Sequence, residues 1–263
     1  MGFFDLFITY DEEKIVNTRI PETSEVIIDK ASGDIYILNE DETNNSILQS
    51  QKFIYEYGHF NKDLNRYAFE KKKLDISGFF SEYDIDDSYS ITPGSGIIYE
   101  GTLYQIVHFV FEDEEKYHPY ILEVGFNKDG DMVLDGAYVL EIDDPLGFMT
   151  NIPTTVKNDE IVFYSYNTEP SQIITLDLKS KDVSAWPYFS EEFDKDKKSF
   201  TAARLIDNEM FVCAINDDVT KFFISHVDNH GNMTEVVSGK LPKPKINATW
   251  WVSDFYILDR TKE

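Results

Sequence analysis

The chain has 263 residues, of which 42% are hydrophobic, and this content excludes intrinsic disorder and is sufficient for a large buried core. Its 49 acidic and 24 basic residues give a formal net charge of −25. A surface of this sign repels nucleic-acid phosphates and anionic lipids, so ordinary nucleic-acid or membrane binding is disfavoured.

The N-terminus, MGFFDLFITYDEEK, has neither a basic segment before a long apolar stretch nor a small-residue cleavage site. This pattern predicts that no secretory signal peptide is present and that the protein is made in a cytoplasm. Position 6 is Leu rather than Ser or Thr, so Gly2 does not match a myristoylation site. Residues 3–10 and 15–20, joined by the turn 11–14, are predicted to form a hairpin.

Short apolar runs, rich in β-branched and aromatic residues, recur along the chain between Asp, Asn, Gly and Pro. They are too short for helices and are typical of strands. Many of them are continuous rather than alternating, which predicts strands that are covered on both faces. A short helix competes with a loop or strand only over 64–74 and 190–205. The clearest runs are 26–28, 35–38, 107–111, 161–164, 222–224 and 255–258.

A weak internal repeat organises these strands. Each copy has an extended segment, a tight turn and a more hydrophobic strand, and the copies lie at 25–38, 96–109, 154–164, 202–215 and 249–258. A second hairpin follows in four copies, at 53–70, 120–140, 173–186 and 222–237. Gly130 and Gly231 favour tight turns within two of these hairpins, because glycine takes positive φ freely. Two hairpins in succession form a four-stranded antiparallel sheet, which is the blade of a β-propeller.

The last copy, 249–258, has no second hairpin, and the N-terminal hairpin has no first one. We therefore predict an all-β, five-bladed β-propeller of four-stranded antiparallel blades, a single domain over 1–263. The closing blade is shared between the N- and C-terminal hairpins, with 255–258 paired to 3–10, because such closure removes exposed sheet edges. The alternative is an irregular β-sandwich or two β domains.

Catalytic signatures are absent from the sequence. It has no phosphate-binding G-x-x-x-x-G-K-[ST] and no G-x-G-x-x-G, and PGSGI at 93–97 is not a G-x-S-x-G elbow. The single cysteine, Cys213, excludes an intramolecular disulfide and is predicted to be a buried, inert thiol in a strand.

The histidines do not form a convincing metal site. His226 and His230 have the i,i+4 spacing that places two ligands on one helix face, but here the spacing crosses a predicted turn. His59 and His118 are interpreted as loop residues, and His108 is the fifth histidine of the chain.

Carboxylates are abundant, but turn chemistry explains their positions. The segment DIDDS at 84–88 lacks the glycine and the distant glutamate of an EF-hand loop, so a solvated loop is preferred to a calcium site. Some five-bladed propellers are glycosidases whose carboxylates project from the inner strands. The corresponding residues here, at turns where Asp is expected anyway, are Asp29, Glu100, Asp159, Asp207 and Asp254. We therefore predict no catalytic, cofactor-binding or metal-binding residue, and no enzyme.

In length, low-GC composition, acidic β repeats, aromatic strands and its opening MGFFDLFITYDEEKIVNTRI, the chain resembles a tail or baseplate protein of a large contractile-tailed phage of Gram-positive bacteria. The resemblance implies a non-enzymatic structural subunit, present in multiple copies in the virion and synthesised in the host cytoplasm. Its implied partners are hub, wedge or spike proteins, with no nucleic acid and no membrane. Two alternatives are a carbohydrate-active or sugar-binding five-bladed propeller and an acidic DNA-mimic decoy.

Overall fold

The structure is a computed structural model. It describes residues 3–10, 14–21, 25–29, 31–38, 52–61, 66–75, 89–111, 117–140, 152–165, 171–187, 198–216 and 218–242. Within these ranges the chain forms eighteen β-strands and no helix. Accordingly, these ranges hold no helix of the length and hydrophobicity that crossing a membrane requires. The chain divides into two compact units, Met1–Leu140 and Glu141–Glu263.

The first unit begins with the predicted N-terminal hairpin. Strands β1 (Phe3–Tyr10) and β2 (Lys14–Pro21) are antiparallel, and Phe3 lies opposite Pro21. The hairpin is therefore confirmed. The segment 255–258, its predicted partner, lies outside the described residues, so the ring closure stays a prediction.

One eight-stranded sheet follows in the first unit, and it consists of two four-stranded antiparallel halves. The first contains β3 (Glu25–Ile28), β4 (Ile35–Leu38), β5 (Lys52–Asn61) and β6 (Arg66–Asp75) in that order. The second contains β7 (Tyr89–Tyr99), β8 (Thr102–Phe111), β9 (Tyr117–Phe126) and β10 (Met132–Val139). A short parallel pairing, Met132 with Leu74 and Val133 with Asp75, joins β10 to β6. Ile27, Leu74, Leu103 and Val124 form part of one buried core shared by the two halves of the sheet.

The second unit contains two separate four-stranded antiparallel sheets. One contains β11 (Thr154–Lys157), β12 (Glu160–Ser165), β13 (Gln172–Asp177) and β14 (Val183–Pro187). The other contains β15 (Lys198–Ile206), β16 (Glu209–Asn216), β17 (Lys221–Val227) and β18 (Met233–Lys240). Val162, Tyr164 and Ile173 of the former pack with Met210 and Val212 of the latter in one buried cluster.

The predicted succession of two antiparallel hairpins is thus confirmed in both four-stranded sheets of the second unit and in both halves of the eight-stranded sheet of the first unit. Strands β12 and β13 are buried along almost their whole length, which confirms that their continuous apolar runs are covered on both faces. The two segments with competing helical signal overlap strands instead: β6 (Arg66–Asp75) overlaps 64–74, and β15 (Lys198–Ile206) overlaps 190–205. Their partners in the sheets explain this outcome, because cross-strand pairing and burial override weak helical propensity.

Candidate functional site

The second unit contains a pocket of about 430 Å³ between its two sheets. This volume lies within the range of small-molecule sites, about 300–1,000 Å³. Two aromatic side chains, Trp186 and Tyr164, line it together with charged, amide and hydroxyl groups. The complete lining is Lys157, Asn158, Glu160, Val162, Tyr164, Ile173, Thr175, Trp186, Asn229 and His230.

Strand register assembles the aromatic wall of this pocket. Tyr164 on β12 lies opposite Ile173 on β13, and Ile173 lies opposite Trp186 on β14. Cross-strand partners point to the same face of a sheet, so the three side chains form one continuous row. This face packs against β16 and β17 through Met210 and Val227. The pocket is therefore part of the seam between two sheets.

The turn between β17 and β18 supplies the polar wall. Asp228 Oδ1 accepts hydrogen bonds from the backbone N–H groups of His230 and Asn232, both at 2.8 Å. Asp228 Oδ2 accepts a third from Asn232 Nδ2 at 2.9 Å. The Asn232 side chain, followed by the backbone donors, lowers the pKa of the Asp228 carboxyl. Asp228 thus fixes the turn that presents Asn229 and His230 to the pocket.

Replacing Asp228 with Ala is expected to lower the free energy of unfolding by about 1 kcal/mol and to weaken any ligand of the pocket, because the turn loses its central acceptor. Asp228→Asn keeps one carbonyl acceptor for the backbone donors and should retain most of the stability and most of the ligand affinity. Urea denaturation and ligand titration of the two variants test this expectation. Equal affinity in Asp228→Ala and the parent protein would contradict a positioning role for this turn.

Lys157, at the end of β11, is the cation of the pocket. Its Nζ lies 3.3 Å from Asn229 Oδ1, 3.8 Å from Glu209 Oε2 and 5.9 Å from the centre of the Tyr164 ring. Burial, followed by the charge of Glu209, raises the pKa of Tyr164 to about 12, so its hydroxyl stays protonated at neutral pH. The site therefore combines a fixed ammonium, a neutral phenol and an indole.

Glu209 connects this cation to His226. Its Oε2 lies 3.0 Å from His226 Nε2, and the His226 ring contacts the Phe211 ring in a tilted arrangement, with ring centres 5.3 Å apart. The hydrogen bond from His226, followed by the charge of Lys157, lowers the pKa of the Glu209 carboxyl below its ordinary value of 4.5.

A lowered folded-state pKa means that charged Glu209 stabilises the protein above its unfolded pKa, and that this contribution is lost as the pH falls through the folded value. Glu209→Gln is therefore expected to destabilise the protein at neutral pH and to have no such effect well below pH 4.5. The difference should be under about 1 kcal/mol, because the carboxylate is half exposed.

Urea denaturation at neutral and acidic pH measures this difference. Glu235→Gln removes the same charge from an exposed position on β18 and serves as the matched control. A Glu209→Gln penalty that is as large at acidic as at neutral pH would contradict the assigned electrostatic role.

The first unit has an aromatic cluster in its buried core. There Tyr36 on β4 lies opposite Tyr57 on β5, with ring centres 5.1 Å apart, and the Phe126 ring lies 5.6 Å from Tyr36. On β12 and β13 of the second unit, the corresponding pair facing the next sheet is Val162 and Thr175. The two smaller side chains, Val162 and Thr175, line the pocket.

The carboxylates considered from sequence have turn roles. Asp29 accepts hydrogen bonds from the Ala31 backbone and the Ser32 hydroxyl, at 2.9 and 2.7 Å. Glu100, Asp159 and Asp207 have positive φ values of 50°, 65° and 51°, typical of tight turns. None of these four lines the pocket. Asp254 and the segment 84–88 lie outside the described residues.

Two histidine assignments were wrong, because His59 lies in strand β5 and His118 in strand β9 rather than in loops. His59 Nδ1 lies 2.5 Å from Asp34 Oδ1, and Tyr57 donates a hydrogen bond of 2.6 Å to Asp34 Oδ2. His108 on β8 is buried.

Cys213 is also buried, as predicted, and this burial raises the pKa of its thiol. His226 and His230 take different roles, the first bound to Glu209 and the second in the pocket wall.

Sequence reasoning named His230 but did not single out Trp186, Tyr164, Lys157 or Asn229. The only sequence signal for the pocket was a tryptophan near the end of a short outer strand, beside Pro187. It could not be assigned to the pocket without the strand register that places Trp186 opposite Ile173.

Comparisons with known proteins yield no family. No protein-family model matches the chain, and no curated protein matches it. A solved structure of a periplasmic gluconolactonase from Pseudomonas aeruginosa is 8% identical with a TM-score of 0.48, covering 94% of this chain and 70% of that one. A Bacillus subtilis arabinanase is 11% identical with a TM-score of 0.41, covering 81% of this chain and 80% of that one. Both TM-scores are under 0.5, so these similarities do not establish a shared activity.

Proposed function

We propose that this protein binds a saccharide in the pocket of its second unit. The observation that carries the proposal is the pairing of Trp186 and Tyr164 with a polar wall around a cavity of about 430 Å³. A sugar ring has an apolar C–H face, which packs on aromatic rings, and a rim of hydroxyls, which needs donors and acceptors. The pocket supplies both kinds of contact.

The polar groups are suited to hydroxyls because they include acceptors as well as donors. Asn158 and Asn229 each offer a carbonyl oxygen and an amino group, Glu160 offers carboxylate oxygens, and Lys157 offers N–H donors. A purely apolar ligand would leave these groups desolvated and unpaired, at a cost in affinity. A ligand with several hydroxyls satisfies them.

The test is binding by the full-length protein, first on a glycan array and then by saturation-transfer-difference NMR with the sugars that score. The expected result is a saccharide signal that is lost when the pocket is altered. An array without any signal, or a signal that persists after the pocket is filled, would overturn the proposal.

We also propose that the chain is a five-bladed β-propeller. Four successive groups of four antiparallel strands, two of them joined in one eight-stranded sheet, and the separate β1–β2 hairpin support this proposal. Deletion of residues 249–263 is expected to accelerate hydrogen exchange of the amides in residues 3–10, because they would lose their partner strand. Unchanged exchange at these amides would contradict the shared closing blade.

The predicted role as a baseplate subunit stays a prediction, together with its virion location, its hub, wedge or spike partners and the lack of enzymatic activity. Co-assembly with neighbouring virion proteins tests it, and a monodisperse protein that ignores such partners would count against it. Saccharide binding is independent of that outcome.

A further inference from the structure

Lys157 is a largely buried cation with unused hydrogen-bonding capacity. Its side chain is 13% exposed, and among the described residues only Asn229 Oδ1, at 3.3 Å, lies within ordinary hydrogen-bonding distance of Nζ. Glu209 Oε2, at 3.8 Å, forms a longer ion pair with Nζ and is also bound by His226. An ammonium group has three N–H donors, so at least one remains for a ligand.

Glu160 provides the opposite charge on the same wall. It lies directly opposite Lys157 across β11 and β12 and lines the pocket. Within the part of the chain that the structure describes, no ion pair joins the two side chains. A carboxylate only accepts hydrogen bonds, so Glu160 is suited to the donor hydroxyls of a ligand.

We infer that the saccharide of the proposed function is a uronic acid, whose carboxylate pairs with Lys157 while its hydroxyls donate to Glu160. A carboxylate oxygen accepts from an unused N–H donor of Lys157, and charge-assisted hydrogen bonds of this kind are shorter and stronger than neutral ones. A neutral sugar offers Lys157 only hydroxyl oxygens. This inference rests on the proposed function and adds the charge of the ligand.

The net charge of −25 acts on such a ligand mainly at long range. Surface charges are screened over a Debye length of about 8 Å at physiological ionic strength, whereas a direct contact of about 3 Å is not. The long-range repulsion slows association, and the contact with Lys157 slows dissociation. We therefore expect the preference for an acidic sugar to persist at physiological ionic strength.

The test compares matched sugars on the full-length protein at neutral pH and physiological ionic strength. D-galactose is paired with D-galacturonate and D-glucose with D-glucuronate, by saturation-transfer-difference NMR and calorimetry. The expected result is that one uronate binds about tenfold more tightly than its neutral counterpart. Lys157→Met should abolish this preference, and Lys240→Met, the same charge change at an exposed position on β18, should retain it.

The outcomes separate the two proposals. Neutral sugars that bind as tightly as their uronates would overturn the inference and leave saccharide binding intact. A wild-type protein that binds none of the four sugars and gives no glycan-array signal would overturn both. A uronate preference that survives Lys157→Met would remove Lys157 from the assignment. The wild-type comparison needs no variant, so it remains decisive even if Lys157→Met fails to fold.

Discussion

Trp186→Ala is expected to weaken saccharide binding at least about 30-fold, which corresponds to about 2 kcal/mol. Trp186 lies opposite Ile173 and forms one end of the row that makes up the aromatic wall. It is half buried against the core cluster of the second unit. Truncation of an aromatic anchor in a pocket removes both its contact area and the exclusion of water around the neighbouring hydrogen bonds. Calorimetric titration with a bound saccharide measures the loss.

Trp186→Phe is the matched control, because it keeps an aromatic face in the same row and should retain a substantial part of the affinity. Thermal unfolding of both variants separates binding from folding, since Trp186 also packs on buried residues. If Trp186→Ala bound the sugar as the parent protein does, stacking on this residue would be excluded.

The strands were predictable because their determinants are local. Turn residues with positive φ, such as Gly130 and Gly231, separate apolar runs of strand length, and each hairpin then follows from its neighbours in sequence. The succession of hairpins could then be predicted by counting the strands between the turns. The parallel pairing of Met132 with Leu74 was not predictable, because it joins strands that are far apart in sequence and belong to different hairpins.

The pocket was not predictable for the same physical reason. Its wall requires Tyr164 and Trp186 to be separated by one strand, and its rim requires a turn that begins at Asp228, more than forty residues further on. A shift of one residue in the β13–β14 register would turn Trp186 to the other face. Acidic turn residues, by contrast, are easily mistaken for catalytic residues in a sequence. Their oxygens accept hydrogen bonds from nearby backbone N–H groups, as Asp29 does from Ala31.

Thr175→Tyr is expected to abolish saccharide binding with little loss of stability. Thr175 lies opposite Val162 and lines the pocket, at the place where the first unit has Tyr57 opposite Tyr36. A phenol introduced there projects into existing empty volume, so the cost of overpacking that a filled core would impose is reduced. The introduced ring occupies the space that a sugar ring needs.

Thr175→Ser, which keeps the hydroxyl and leaves the cavity open, is the matched control and should bind as the parent protein does. Far-UV circular dichroism and the midpoint of thermal unfolding should be almost unchanged in both variants. Retained affinity in a folded Thr175→Tyr protein would place the ligand elsewhere, however strongly Trp186→Ala had reduced binding. The two substitutions together are therefore more selective than either alone, because one removes a contact and the other removes only space. A ligand lost in both, and kept in Trp186→Phe and Thr175→Ser, has to lie between the indole ring and β13.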